Sequence, residues 1–206
     1  NFLFMAFSIF NSSFSIVNHR LMGDRVVHLV SAKNTRRLEG PDMIVLHYTA
    51  GTSAESSALF LTRPDVSASA HLVIGRDGEV FQLVPFNIEA WHAGKSWYAG
   101  RGGLNHYSIG IELDNLGKLC FSGDLFIAEC GRVVPLDEVY TDCSGDSPTY
   151  WHRYTARQIR VLREICTLLE ETYPIRDVVG HSLITPRKID PGPALEFAFS
   201  EFQDKN

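Results

Sequence analysis

Two rhythms of apolar and polar positions alternate along this chain. MIVLHY at 43–48 is an unbroken apolar run ending on Thr-Ala-Gly, and it predicts a buried strand closed by a turn. VVHLV at 26–30 predicts a second strand. YSIGIELDN at 107–115 predicts a third, with apolar residues alternating and one charge, Glu112, near its end. AHLVIGRDGEVFQLVP at 70–85 holds two β-rich runs joined across Arg-Asp-Gly, a hairpin signal. Val178 and Val179 form a short apolar run before a proline-rich loop.

The other rhythm is helical. SAESSALFLTR at 53–63 starts on Ser53 as N-cap and stops before Pro64. In YTARQIRVLREICTLLEETYP, 154–174, apolar Ile159, Leu162, Ile165, Cys166 and Leu169 recur at helical spacing. Thr155 with Gln158 three residues on is a capping-box arrangement. ALEFAFSEF at 194–202 predicts a last helix behind Pro193. Strands separated by helices, with hairpins in the same chain, indicate an α/β (α+β mixed) fold. The expectation is a single domain with one central mixed β-sheet flanked by helices, and 206 residues are enough for its core.

Two segments stand apart. Residues 1–20 open with a mostly apolar stretch that lacks a basic n-region and a clear cleavage site. They read as an extension, as a remnant of expression or processing, or as an arm packed on the body; the domain proper is taken as 21–206. Residues 116–150 read as an insertion and hold three of the four cysteines. The absence of a CxxC pair argues against a zinc ribbon. Cys166 is expected in the core, while Cys120 and Cys130 flank a hairpin-like stretch and would pair only in an oxidising compartment.

Composition narrows the classes of partner. A net charge of −5 and a pI of about 5.9 argue against nucleic acid and lend no support to an anionic membrane surface. No apolar run reaches the ~18–20 residues of a transmembrane segment. Nothing points to an oligomer, so a monomer is expected.

The chemistry concentrates in GHSLITPRKIDPGP, 180–193. Of eight histidines, His47 ends a buried strand and His181 follows one. Asp190 stands nine residues after His181, in a loop stiffened by three prolines. Two imidazoles and one carboxylate are a common catalytic zinc set, with the fourth position left for water. Glu112 is the candidate proton carrier, since the strand period sets it opposite Ile111 and Leu113; an edge glutamate facing solvent is the alternative. Lys188 is either a charge stabiliser for a developing oxyanion or an ordinary surface lysine. Trp91 is either a stacking surface for a sugar or a side chain buried under its loop.

IVLHYTAG, ASAHLVIGRDGEVFQLVPFNIEAWHAG, LNHYSIGIELDN and GHSLITPRKIDPGP occur in that order at fitting distances. Together they closely resemble the type 2 N-acetylmuramoyl-L-alanine amidases, bacterial enzymes related in fold to phage amidases and peptidoglycan-recognition proteins. The resemblance spans roughly 40–200, interrupted by the insertion. It implies a mixed sheet with a Zn2+ site in a groove, and hydrolysis of the amide between the lactyl group of N-acetylmuramic acid and the L-alanine of the stem peptide. It implies His47, His181 and Asp190 as zinc ligands, with Glu112 and Lys188 as catalytic residues. His71 and His92 match family histidines and are expected, with Trp91, on the substrate side of the groove. Two departures are visible. The loop from His181 to Asp190 is one residue short, and Gly103 replaces an arginine that grips a stem-peptide carboxylate, leaving Arg101 to serve instead. The substrate is expected to be peptidoglycan or a muropeptide, with recycling in the cytoplasm the first reading and the cell envelope or secretion the alternative. A muropeptide-recognition module without catalysis is the competing function, and the complete set of ligands plus glutamate weighs against it.

Overall fold

The computed structural model describes residues 13–195. In chain order its main elements are β1 (Val26–His28), β2 (Met43–Tyr48), α1 (Ala54–Thr62), β3 (Leu72–Ile74), β4 (Val80–Gln82) and β5 (Ser108–Leu113). There follow β6 (Lys118–Ser122), β7 (Leu125–Ala128), β8 (Val133–Val134), β9 (Val139–Asp142), β10 (Thr149–His152), α2 (Ala156–Thr172), β11 (Asp177–Gly180) and the short α3 (His181–Ile184).

The central sheet has the order β11-β2-β5-β3-β4-β1. Its pairs are parallel except β3 with β4, which form the expected hairpin. Strand alternation gives the sheet two faces. Ile44, Leu46, Leu72, Ile74, Ile109, Ile111 and Leu113 form the main core with Val161, Leu162, Ile165, Cys166 and Leu169 of α2. Each fully buried Leu or Ile there contributes about 1.5–3 kcal/mol. On the other face Val73 packs with Ala54, Ala58 and Leu61 of α1, and Met43, Val45 and Val179 pack with Ala93, Leu104 and Ile184. No described helix is long and apolar enough to cross a membrane.

Both helix starts follow from their caps. Ser53 accepts from the Ser56 N–H, and Thr155 accepts from the Gln158 N–H at 3.1 Å. The capping box at Thr155 is only half made. The Gln158 side chain is fully buried and donates instead to the carbonyls of Ile74 at 2.9 Å and Asp114 at 3.1 Å. The Ile74 carbonyl also accepts the Asp114 N–H at 2.8 Å, so the buried amide ties the ends of β3 and β5 together.

The insertion is a second, antiparallel sheet in the order β8-β7-β6-β10-β9. Leu116, Leu119, Ala128, Val134 and Val139 form its own small core. Cys120 is paired in register with Ile127, and all four cysteines are free, so no bridge joins Cys120 to Cys130. Cys166 is buried as expected.

Within the leading segment, Ser15–Val17 pairs with Arg20–Met22, and Phe14 and Leu21 are buried in the main core. Residues 1–12 lie outside the described residues. So does most of the expected last helix, of which only Pro193–Leu195 is described, as a single tight turn.

Candidate active site

Parallel pairing builds the site. β11 runs alongside β2 with Gly180 opposite Leu46, so the chain leaves both strands on the same edge. His47 therefore meets His181, the first residue of α3. The loop that follows returns through the Lys188 N–H to the Thr185 carbonyl, and the Ser182 N–H closes it on the Asp190 carbonyl at 2.9 Å. That closure brings the Asp190 side chain back onto both imidazoles.

Three atoms converge there. His47 Nδ1 lies 3.0 Å from His181 Nδ1 and 3.0 Å from Asp190 Oδ2, and His181 Nδ1 lies 2.9 Å from the same oxygen. All three residues are buried. The tautomer of His47 follows from its neighbours. His92 Nε2 faces the Ser108 carbonyl, which can only accept, so it carries the proton. His92 Nδ1 is then an acceptor and takes the His47 Nε2–H at 3.1 Å. His47 Nδ1 is left as a lone pair pointed at a second imidazole and a carboxylate. Burial lowers the pKa of His47 and favours this neutral form. Burial works to raise the Asp190 carboxyl, but the His181 and His47 imidazoles set against it outweigh that and hold the group well below its usual range. Electron-rich atoms this close need a positive charge among them. Their separations suit a shared cation with bonds of ~2.0–2.1 Å, so the cluster fits a metal site.

Glu112 sits directly opposite His47 in the β2–β5 register, on the same face. Its Oε2 is buried without a hydrogen-bond partner. Burial, reinforced by Asp190 and opposed by Lys188, pushes its carboxyl well above the usual range. The solvent-facing alternative is therefore not what the fold adopts.

The cleft over these groups measures about 410 Å³ and is lined by His47, Glu112, His181 and Asp190, with Trp91, His92 and Lys188 among the surrounding side chains. Trp91 is 37% exposed, which leaves its ring available. Two expected substrate-side residues are elsewhere. His71 is fully buried, its Nε2–H donating to the Ile88 carbonyl and its Nδ1 accepting the Gly110 N–H, so it braces the sheet. Arg101 is not among the cleft-lining residues; it is paired with Asp42 at 2.6 Å and lies over the Tyr107 ring. His92 reaches the cleft but spends both ring nitrogens on His47 and Ser108. Tyr48, Glu129 and Arg187 also line the cleft and were missed. Arg187, beside Lys188, was open to notice; Glu129 comes from the insertion, and nothing local in its sequence points to the cleft.

A family model described as N-acetylmuramoyl-L-alanine amidase matches residues 36–193. The chain is 32% identical over 154 residues to the 1,6-anhydro-N-acetylmuramyl-L-alanine amidase AmpD of Escherichia coli (strain K12), covering 73% of this chain and 66% of that protein. It thus spans just under two thirds of that relative's length. A crystal structure of a Se-Met AmpD derivative superposes with a TM-score of 0.58 at 28% identity, over 88% of this chain and 96% of that one. AmiD from E. coli, in complex with anhydro-N-acetylmuramic acid-L-Ala-D-gamma-Glu-L-Lys, superposes with a TM-score of 0.60 at 26% identity, over 92% and 65%. The four motifs, the mixed sheet and these similarities agree: the chain belongs to the N-acetylmuramoyl-L-alanine amidase family.

Proposed function

We propose that this chain is a zinc-dependent N-acetylmuramoyl-L-alanine amidase. It hydrolyses the amide between the lactyl group of N-acetylmuramic acid and the L-alanine of the stem peptide. The observation that carries this reading is the triangle of His47, His181 and Asp190 donor atoms beside the unpartnered carboxyl of Glu112. His47, His181 and Asp190 hold the zinc. When bound, zinc polarises a carbonyl and lowers the pKa of water to ~7. Glu112 takes the proton from the attacking water and passes it to the leaving amine, a task suited to a carboxyl with a raised pKa. Lys188, on the cleft wall, offsets the negative charge that develops on the carbonyl oxygen. Trp91 offers a stacking face to the sugar.

Soluble anhydro-muropeptides are the substrate form we favour, by analogy with the names of the relatives. Four free cysteines accord with a reducing compartment and hence with cytoplasmic recycling. The test gives purified protein, with and without chelator, an anhydro-muramyl tripeptide and intact sacculi in separate reactions. Mass spectrometry then measures released stem peptide. The expected result is release from the soluble tripeptide that chelation abolishes and added zinc restores. Zinc-loaded protein that binds the tripeptide without releasing peptide would replace this reading with the recognition module.

A further inference from the structure

We propose that the insertion is a clamp on the metal-binding residues, and that Tyr154 and Trp151 are positioning residues for Asp190. The inference rests on the metal reading above. The sheet of the insertion grips the chain beside two of the three ligands. Where it begins, Gly117 has φ +74°, and a Cβ there would lie 2.5 Å from the ring of Tyr48, the neighbour of His47. Where it ends, Trp151 is buried across Gly192, whose φ is +76° and where a Cβ would lie 2.6 Å from the indole. Just beyond, the buried Tyr154 hydroxyl donates to the Pro191 carbonyl at 2.8 Å. Pro191 and Gly192 directly follow Asp190.

The two ends act as one body. Lys118 pairs with Trp151 in the sheet register. The His152 N–H donates to the Gly117 carbonyl at 2.8 Å, and Asn115 donates to the His152 carbonyl at 2.9 Å. His152 Nδ1 accepts the Leu116 N–H, so its Nε2–H donates to Glu138, which also binds Arg76 of the β3–β4 turn. A stiff body seated against Tyr48 on one side and Pro191-Gly192 on the other fixes the spacing of His47 and Asp190. Three electron-rich atoms about 3 Å apart repel one another until a cation arrives. Holding them together beforehand is work that the packing beyond the ligands must do.

The test measures the zinc dissociation constant by chelator competition, at a temperature where the metal-free protein is folded, with the metal-free melting temperature recorded in parallel. Tyr154→Phe removes only the hydroxyl that holds Pro191. It is expected to weaken zinc binding about 10-fold or more. Tyr173→Phe, which removes a hydroxyl bonded to His19 at the end of α2 away from Tyr154 and outside the insertion, is the control; zinc binding should stay at the parent value even where melting falls. Tyr154→Phe that holds zinc like the parent overturns the clamp. So does equal weakening by Tyr173→Phe, because the effect would then be general loosening. Where Tyr154→Phe does not fold, Trp151→Phe decides by the same criterion. A parent protein that takes up no zinc overturns the functional reading and this one together, whereas a zinc-binding parent with an unaffected Tyr154 variant overturns the clamp alone.

Discussion

Replacing Glu112 by glutamine separates chemistry from folding at one position. The amide keeps the shape of the side chain and removes its ability to accept and return a proton. A positioned proton carrier is worth about 10²–10⁴ in rate, or about 2.7–5.5 kcal/mol of barrier at ~1.36 kcal/mol per tenfold. Turnover of the anhydro-muramyl tripeptide should fall by that factor, while zinc content stays that of the parent. Stability should move the other way. In the folded protein burial raises the Glu112 carboxyl well above 4.5, its ordinary value. A group with a raised folded-state pKa costs nothing while both states are protonated, and it destabilises as pH rises and the unfolded chain ionises first. Metal-free Glu112→Gln should therefore melt close to the parent near pH 4 and above it at pH 7. A gain on the order of 1 kcal/mol corresponds to about 2–4 °C for a chain of this size. The assays are peptide release by mass spectrometry and thermal melting across that pH range. Turnover within tenfold of the parent would refute the assigned role. A melting temperature that falls at pH 7 would refute the account of the buried carboxyl.

Two further changes probe the supports. His92→Phe leaves the His47 Nε2–H without its acceptor, so zinc affinity should fall about 10–100-fold by chelator competition; an unchanged affinity would show that His92 does not orient the ligand. Gln158→Leu removes the Gln158 donor from the Asp114 carbonyl and one of the two donors to the Ile74 carbonyl, which keeps the Asp114 N–H. It should cost about 1–3 kcal/mol in denaturant unfolding, and a cost near zero would mean that those carbonyls find other partners.

The elements with strong local signals were legible in the chain. β2 is bounded as its apolar run predicts, and α1 and α2 begin at the caps read from Ser53 and Thr155. A strand's period and a helix's first turn are short-range properties, so a few neighbouring residues settle them. The candidate ligands were legible for a related reason. A histidine at a strand end and an aspartate in a proline-stiffened loop carry their chemistry in residue type and position. What His71, His92 and Arg101 do was not legible, because a histidine that braces a sheet and one that faces a cleft have the same letter. Their partners, Ile88, Ser108 and Asp42, lie 17, 16 and 59 positions away. The insertion is the extreme case. It read as an insertion, and its packing against the ligand-bearing segments, Trp151 on Gly192 and Gly117 on Tyr48, is visible only in the folded chain. By itself the sequence determined which side chains could do chemistry and on which elements they ride. Only the tertiary structure decided which of them meet, because parallel pairing of β2, β5 and β11 joins residues up to 134 positions apart, the loop after β11 then brings Asp190 onto His47, 143 positions away, and no local pattern encodes that closure.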